Sequence, residues 1–286
     1  MSHNIGMARI LAFLLPLLIL AGCQTEQPHG GTFRRKRILT VVSLSPSTSE
    51  IVASYFPGVK FMGRTAACDY PDTLKPVPIM GGVKPDYEAI ARARPDAVLY
   101  DSAIYNESDI EKFKSLKIEA YAFSAKSLDE YIDSLYQLGS RLGAETEISE
   151  YVDRIMNAKI GNTSDSQVKR RVMIVLGGSG EHMVAGTKSL QADMLRWAGF
   201  EPVGPDADKF VTVNVESILA DSPDAIVVAG DSKFILEDAR LKGLTAVAKK
   251  RVAEVSDQSL ILRAGGRVDT LLQNLRPAVE GLFVGQ

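Results

Sequence analysis

The sequence contains few side chains of the types that carry out covalent chemistry, and they are widely separated. Only His182 of the three histidines, and Cys68 of the two cysteines, lie in the part of the chain expected to fold. A catalytic thiol needs a nearby base, and an active site needs a nucleophile, a base and an orienting group. No partners for His182 can be named, and three histidines do not suggest a zinc or manganese site. These residue types therefore favour ligand binding over catalysis or a metal centre.

Several polar residues follow predicted strands or lie in neighbouring loops. Ligands bind outside the carboxyl ends of the strands in open α/β sheets, so these residues are candidate ligand contacts. The predicted strand ends of the first lobe, at 45–48, 65–70, 100–103 and 123–125, form its candidate cleft wall. The candidates are Ser47, Cys68, Asp69, Tyr70, Gly82, Tyr100, His182, Asp231 and Arg263. Tyr70, Tyr100 and Arg263 are the preferred polar anchors, and Arg263 suits either an anionic group or a plain surface position. Cys68 has a simpler alternative as a small buried apolar side chain.

A glycine-rich loop at 177–184 follows a predicted strand and raises the question of a phosphate site. Its sequence lacks the G-x-G-x-x-G spacing and contains no G-K-[ST]. A nucleotide site is therefore not expected there. Close backbone approach to another ligand, or a plain hairpin turn, explains the glycines better.

One helix–turn–strand pattern occurs twice, at 86–100 and at 214–228. Each copy carries a glutamate in the first turn of a short helix (Glu88 and Glu216), then a Pro-Asp turn and a buried strand. Two copies predict two similar lobes with a cleft between them. Strands alternate with helices in both halves, which indicates α/β lobes.

Helical periodicity at 128–142 and at about 145–158 predicts two helices between the lobes, the second about 20 Å long at ~1.5 Å per residue. Near the start of the first lobe, Ser47 is the predicted N-cap of a helix, with Glu50 as its capping-box partner. Residues 256–263 are expected to form a loop at the cleft edge. The predicted segments are a signal peptide at 1–22, a tether at 23–36, an N-terminal lobe at 37–125, connecting helices at 126–167 and a C-terminal lobe at 168–286.

The N-terminus carries a targeting signal. An apolar run of 12 residues follows Arg9, which is shorter than the ~20 needed to span a bilayer but fits a secretory signal. The run ends in Leu-Ala-Gly-Cys at 20–23, which resembles a bacterial lipobox and implies lipidation of Cys23. An ordinary signal peptide with an incidental cysteine is the alternative. The formal net charge of −2 gives no electrostatic case for nucleic acid.

The order of several motifs resembles that of cluster-A (class III) periplasmic binding proteins, and most closely the cobalamin-binding branch. The motifs are Ser-Leu-Ser-Pro-Ser-x-x-Glu at 43–50, Cys-Asp-Tyr-Pro at 68–71, Glu88 with Arg-Pro-Asp at 94–96, and the long connecting helix. The resemblance implies two Rossmann-like α/β lobes with a central parallel sheet each. It also implies one long bridging helix between the lobes and a ligand cleft between them.

The resemblance also implies a function. The chain would be a monomeric, lipid-anchored, extracytoplasmic subunit, on the periplasmic side if the cell has an outer membrane. It would deliver a metal-chelate to an ABC permease and its ATPase, with cobalamin as the first choice and haem or a ferric siderophore next. No cofactor is expected, because the chelate is cargo. A cleft enzyme, such as a hydrolase or chelatase, is the alternative.

The family docks on arginines of the permease through one glutamate of each lobe, and these positions match Glu88 and Glu216. The alternative is that each glutamate only favours its helix N-terminus through the dipole. The chain departs from the cobalamin binders at Ala67 and at Gly81 and Gly82, where those proteins carry aromatic residues. The departure leaves haem and siderophores open.

Overall fold

The computed structural model describes residues 37–161, 169–177 and 182–284. The predicted signal peptide, the tether and Cys23 lie outside the described residues. Arg37–Gln286 forms one compact unit. Within it, two sheets define two α/β lobes, which confirms the predicted fold class.

The N-terminal lobe is built on five parallel strands in the order β3-β2-β1-β4-β5. Strand β1 is central, and three of its four residues, Val41, Val42 and Ser43, are buried. The elements are β1 Thr40–Ser43, α1 Pro46–Tyr55, β2 Lys60–Thr65, β3 Ile79–Gly81, α2 Tyr87–Ala93, β4 Ala97–Tyr100, α3 Glu107–Ser115 and β5 Glu119–Ala122.

Two helices, α4 (Leu128–Leu142) and α5 (Glu145–Gly161), connect the lobes as predicted. Helix α4 ends at Gly143, whose φ of 69° is in the left-handed region that glycine adopts at little cost. Helix α5 then packs against α4, where Ile148 lies close to Gly139. At ~1.5 Å per residue, α5 is about 25 Å long and serves as the bridging helix.

The C-terminal lobe contains a mixed sheet in the order β11-β10-β6-β7-β9, with β8 also paired to β6. Strands β6, β8, β10 and β11 are parallel, whereas β7 is antiparallel to β6 and β9. The prediction of a parallel sheet therefore holds for only part of this lobe. The elements are β6 Arg171–Leu176, β7 His182–Ala185, α6 Leu190–Trp197, β8 Glu201–Pro202, β9 Phe210–Val213, α7 Val215–Asp221, β10 Ala225–Ala229, α8 Lys233–Leu236, α9 Thr245–Ala248, β11 Val252–Val255, α10 Gln258–Leu262 and α11 Val268–Gly281.

The repeated sequence pattern forms the same structure twice, as α2 with β4 and as α7 with β10. In each copy the aspartate of the Pro-Asp turn accepts hydrogen bonds from backbone N–H groups at the start of the first strand of its lobe. Asp96 Oδ2 accepts from the N–H groups of Leu39 and Thr40, at 3.1 and 3.0 Å. Asp224 Oδ2 accepts from the N–H of Arg171 at 2.8 Å. The aspartates thus tie the repeat to the first strand of each lobe.

Two local predictions were wrong. Ser45, not Ser47, is the N-cap of α1, because its hydroxyl accepts from the N–H of Thr48 while Pro46 occupies the first helical turn. Glu50 makes no capping box; its side chain is buried and pairs with Arg267 of the other lobe. The stretch predicted as a cleft-edge loop contains α10, capped by Asp257.

One apolar core runs through both lobes. It includes β1 and α1 of the N-terminal lobe, the buried faces of α4 and α5, and strands and helices of the C-terminal lobe. Two smaller clusters belong to single lobes, one beneath β6 and β10 and one around Val42, Leu44 and Phe113. The shared core fixes the lobes relative to each other and so defines the cleft between them.

Candidate functional site

A cleft of about 580 Å³ lies between the lobes. Its N-terminal wall comes from the start of α1 and from the loops after β4 and β5, which are the strand ends where ligands were expected. Its other wall comes from α6, from the start of β9 and from the end of α10. The lining residues are Ser47, Asp101, Ser102, Ala103, Phe123, Ser124, Ala125, Lys126, Glu130, Leu190, Gln191, Asp208, Lys209, Phe210, Leu262 and Ala264.

The lining suits an organic ligand with an apolar body and charged groups. Phe123 comes from the N-terminal lobe and Phe210 from the C-terminal lobe, and Leu190 and Leu262 add aliphatic surface. The volume falls within the ~300–1,000 Å³ usual for small-molecule sites. Among the described residues, the lining includes no tyrosine, histidine, cysteine or methionine. No group of three or more metal-ligating side chains occurs in the described part of the chain.

Two ion pairs cross from lobe to lobe at the cleft. Lys126 Nζ lies 2.8 Å from Asp208 Oδ2, and both residues line the cleft. Arg263 Nη1 lies 2.8 Å from Asp69 Oδ1, and Arg263 is flanked by the lining residues Leu262 and Ala264. The hydrogen bond from Lys126 lowers the pKa of Asp208. Burial raises the pKa of Asp69, but the hydrogen bond and charge of Arg263 leave it below its usual value.

Tyr70 lies at the same edge, against a charged residue of the other lobe. Tyr70 is 37% exposed, and the guanidinium carbon of Arg267 lies 3.8 Å from its ring centroid. Arg267 is also bound to the carboxylates of Glu50 and Asp257. Burial lowers the pKa of Arg267, but these two carboxylates raise it well above its ordinary value. Arg267 therefore stays charged and holds a cation over the aromatic face.

The structure brings four of the predicted ligand residues to the cleft or to its edge. Ser47 lines the cleft, and Asp69, Tyr70 and Arg263 lie in the interactions just described. Cys68 is adjacent in sequence but fully buried, and its thiol contacts the hydroxyl of Thr65 at 3.1 Å. That environment agrees with the alternative of a small buried side chain.

Three other predicted residues lie outside the cleft lining. The carbonyl of Gly82 accepts a hydrogen bond from the Tyr105 hydroxyl at 2.5 Å. Tyr100 is partly buried and packs against the smaller apolar cluster around Val42, Leu44 and Phe113. Asp231, at the end of β10, is exposed and caps the N–H of Lys233 at 2.9 Å. Their roles in ligand binding remain predictions.

His182 lies in a second, smaller cavity of about 290 Å³ on the C-terminal lobe. The imidazole is buried, and its Nε2 lies 3.2 Å from Asp238 Oδ2. Its Nδ1 has no hydrogen-bond partner among the described residues. Hydrogen bonds from Arg240 hold the pKa of Asp238 far below its usual range. This cavity, which Glu216 also lines, shares no lining residue with the large cleft. A role for His182 in ligand binding remains a prediction.

Glu88 and Glu216 occupy equivalent positions in the two lobes and are both exposed. In both helices the N-cap is a different residue. Asp86 caps α2 and accepts from the N–H of Ala89, and Asn214 caps α7 and accepts from the N–H of Ser217. The N-cap hydrogen bond of each helix therefore does not come from its glutamate. Glu88 is 3.7 Å from Arg92, an exposed pair of the kind that contributes little stability.

Three of the predicted strand ends contribute to the cleft lining, at Ser47, 101–103 and 123–125. Lys126 and the lining residues from α6 and from the start of β9 were not predicted. Phe210 and Asp208 adjoin β9, an antiparallel strand for which the sequence offered no clear alternation. Glu50 and Arg267 are 217 positions apart, and no local pattern links them.

Both the sequence and the fold of this chain are similar to those of known proteins. The model of a family described as "Periplasmic binding protein" matches residues 41–258. The high-affinity haem uptake system protein IsdE of Staphylococcus aureus is 28% identical over 233 residues, covering 77% of this chain and 77% of that protein.

Solved structures share the fold. The periplasmic haem-binding protein BhuT in complex with two haems gives a TM-score of 0.73 at 19% identity, covering 86% of this chain and 99% of that chain. The periplasmic vitamin B12 binding protein BtuF of Vibrio cholerae gives a TM-score of 0.74 at 16% identity, covering 86% of this chain and 98% of that chain. At these identities the likeness concerns the fold alone. No helix in the described ranges combines the length and apolarity needed to cross a bilayer.

Proposed function

The chain belongs to the periplasmic binding protein family, and we propose that its ligand is haem, which it captures in the cleft for an ABC importer. The family and the relatives are solute-binding proteins, so the alternative of a cleft enzyme is set aside. The relatives that bind haem or cobalamin carry it as cargo rather than as a cofactor.

The observation that favours haem over cobalamin is the pair of cations at the cleft. Lys126 and Arg263 are each held by a carboxylate from the opposite lobe. Haem carries two carboxylates on one edge of a flat apolar ring, whereas the side chains of the corrin ring are mainly neutral amides. The haem carboxylates can take over the cations from Asp208 and Asp69, while the ring contacts Phe123 and Phe210.

The names of several relatives support the same choice. IsdE is a haem uptake protein, and its sequence identity to this chain exceeds that of the vitamin B12 binding protein. The loss of the two aromatic positions at Ala67 and at Gly81–Gly82 also weakens the case for a corrin ring. The sequence alone made cobalamin the first choice of ligand. With these observations, haem becomes the first choice instead.

Absorption spectroscopy of the purified protein tests this proposal. Haemin should bind with 1:1 stoichiometry and shift the Soret band, and haemin dimethyl ester should bind at least about tenfold more weakly because it lacks both negative charges. Replacing both Lys126 and Arg263 with glutamine should weaken haemin binding but not ester binding. Lys75→Gln, which changes an exposed lysine paired with Asp72 instead, is the matched control.

The opposite pattern would refute the proposal. Tight binding of cyanocobalamin without a haemin band shift would assign the cleft to a corrinoid. Equal binding of haemin and its ester would show that the two cations do not contact the propionates.

We also propose that Glu88 and Glu216 dock on the permease and that Cys23 carries the lipid anchor. The exposure of both glutamates on equivalent helices supports the first point, because rim charges on two lobes can orient a partner. The lipobox-like sequence supports the second. The protein would then act as a membrane-anchored, extracytoplasmic monomer with the permease and its ATPase as partners.

A further inference from the structure

A short segment at the start of α11 is bound by residues from three other helices. The Gly265 carbonyl accepts hydrogen bonds from the hydroxyls of Tyr131 and Tyr151, at 2.5 and 3.2 Å. The Gly266 carbonyl accepts from the Tyr55 hydroxyl at 2.6 Å. Tyr55 belongs to α1 of the N-terminal lobe, and the other two tyrosines belong to α4 and α5. Residues 265–266 of the C-terminal lobe are thus joined directly to the opposite lobe.

Arg267, the next residue, binds a carboxylate of the opposite lobe with two hydrogen bonds. Its Nε and Nη2 lie 2.7 and 3.0 Å from the two carboxylate oxygens of Glu50, which is 1% exposed. Its Nη1 lies 2.6 Å from Asp257 Oδ2, and Nη2 also donates to the Ser259 hydroxyl at 2.7 Å. Its remaining face covers the Tyr70 ring. One guanidinium therefore contacts four side chains.

These four side chains do not line the cleft, but they lie on elements and loops next to both of its walls. Tyr70 is next to Asp69, which forms one of the ion pairs across the cleft. Asp257 and Ser259 belong to the start of α10, whose last residue, Leu262, lines the cleft just before Arg263. Glu50 lies in α1, which also carries the lining residue Ser47.

We propose that Arg267, anchored on buried Glu50, is a positioning residue that holds the Tyr70 loop and α10 at the separation the ligand requires. It acts through those two elements, and no direct contact between Arg267 and the ligand is required. The role rests on the proposed function, since it concerns how the cleft binds haem.

The backbone around Arg267 fits this role. A Cβ atom at position 265 would lie 2.6 Å from the Cδ of Glu50, which is closer than real contacts allow. Glycine therefore lets Glu50 reach Arg267 past the backbone. Lysine could not replace Arg267, because a single ammonium cannot bind a carboxylate with two parallel hydrogen bonds, reach Asp257 and cover a ring at the same time.

Arg267→Lys is the direct test, with haemin as the probe. We expect the haemin dissociation rate to rise by about tenfold, as for the loss of one charge-assisted hydrogen bond. Hydrogen–deuterium exchange without haemin should become faster in peptides covering both 66–75 and 257–263. Asp257→Asn removes one charged contact at an exposed position, so it should fold and show a smaller change of the same kind.

Arg154→Lys is the matched control. Arg154 binds Asp269 at 2.9 Å in the same segment but contacts neither Tyr70 nor α10. This variant should lose stability without a change in haemin dissociation or in exchange at 66–75.

The possible outcomes separate this role from the proposed function. If the wild-type protein binds no haemin but exchange becomes faster in both peptides of Arg267→Lys, the haem assignment is overturned. The positioning of the two elements by Arg267 is then kept. Unchanged exchange in both peptides overturns the positioning role. Faster exchange with unchanged haemin dissociation also overturns it, because Arg267 would then be merely structural.

Discussion

At the scale of single residues, the aspartates of the two Pro-Asp turns have the same task in both lobes. Asp96 accepts from two backbone N–H groups and from the Thr40 hydroxyl, and Asp224 accepts from the N–H of Arg171. In return, the N–H of Asp96 and the N–H of Asp224 donate to carbonyls of Thr40 and Arg171. The repeated residue pattern is therefore a means of joining β4 to β1 and β10 to β6.

Asp96→Ala should lower the free energy of unfolding by about 2 kcal/mol, because it leaves partly buried backbone donors without their charged acceptor. Urea unfolding monitored by circular dichroism measures the change. Asp133→Ala, an exposed aspartate on α4, is the control and should stay within about 0.5 kcal/mol of the wild type. Equal stability of the two variants would show that water replaces the Asp96 carboxylate.

Glu50 shows how a residue's role depends on its distant neighbours. From the local sequence it is a helix-capping residue, but in the folded protein it is buried beside Arg267. An unpaired buried carboxylate would be costly, so its two-point pair with a guanidinium is what makes the burial tolerable. The same pair connects α1 of one lobe to α11 of the other.

At the scale of elements, α2 and α7 present similar surfaces on the two lobes. Both are seven-residue helices with an Asp or Asn N-cap, and both end at a residue in the left-handed region: Arg94 at φ 49° and Ser222 at φ 40°. Their glutamates are exposed, while Ile90 and Ile218 are buried beneath. The helices therefore expose one carboxylate each on otherwise well-anchored elements.

Replacing both Glu88 and Glu216 with alanine should abolish ligand uptake by cells and leave haemin affinity unchanged, because neither residue lines the cleft. Uptake assays in cells and titrations of purified protein measure the two quantities. Glu111→Ala, which removes an exposed carboxylate from α3, should affect neither. A tenfold loss of haemin affinity in the double variant would instead place these glutamates at the ligand.

At the scale of the whole molecule, the lobes share one apolar core and several polar links. The core passes through α4, α5 and α11, and the links at Tyr131, Tyr151 and Arg267 surround the same segment. An uninterrupted helix such as α5 bends little. Only small relative motions of the lobes are therefore expected, and opening of the cleft must break the ion pairs of Lys126 with Asp208 and of Arg263 with Asp69.

The proposed anchor also belongs to this scale. Cys23→Ser should move the protein from the membrane fraction to the soluble fraction of the cell, because the acyl chains supply the membrane affinity. Cys68→Ser is the control and should leave the protein in the membrane fraction, since Cys68 is buried within the folded unit. Membrane retention of the Cys23 variant would contradict the lipobox assignment.

Local patterns in the sequence predicted several elements. Helix α2 and strand β4 lie within the pattern predicted at 86–100, and helix α7 and strand β10 lie within or next to its copy at 214–228. A cap, a Pro-Asp turn and a buried apolar run are all signals that act within a few residues. Strands β7 and β9 lacked such signals, because they are held by antiparallel pairing with each other and with β6.

The sequence by itself determined the fold class, the two related lobes, the connecting helices and the family resemblance. Each of these depends on periodicity, turns or motif order along the chain. Only the tertiary structure decided which side chains of the two lobes meet at the cleft, because its ion pairs and its two aromatic residues come from segments far apart in sequence. The same is true of Glu50 and Arg267, whose burial and pairing depend on how the lobes pack.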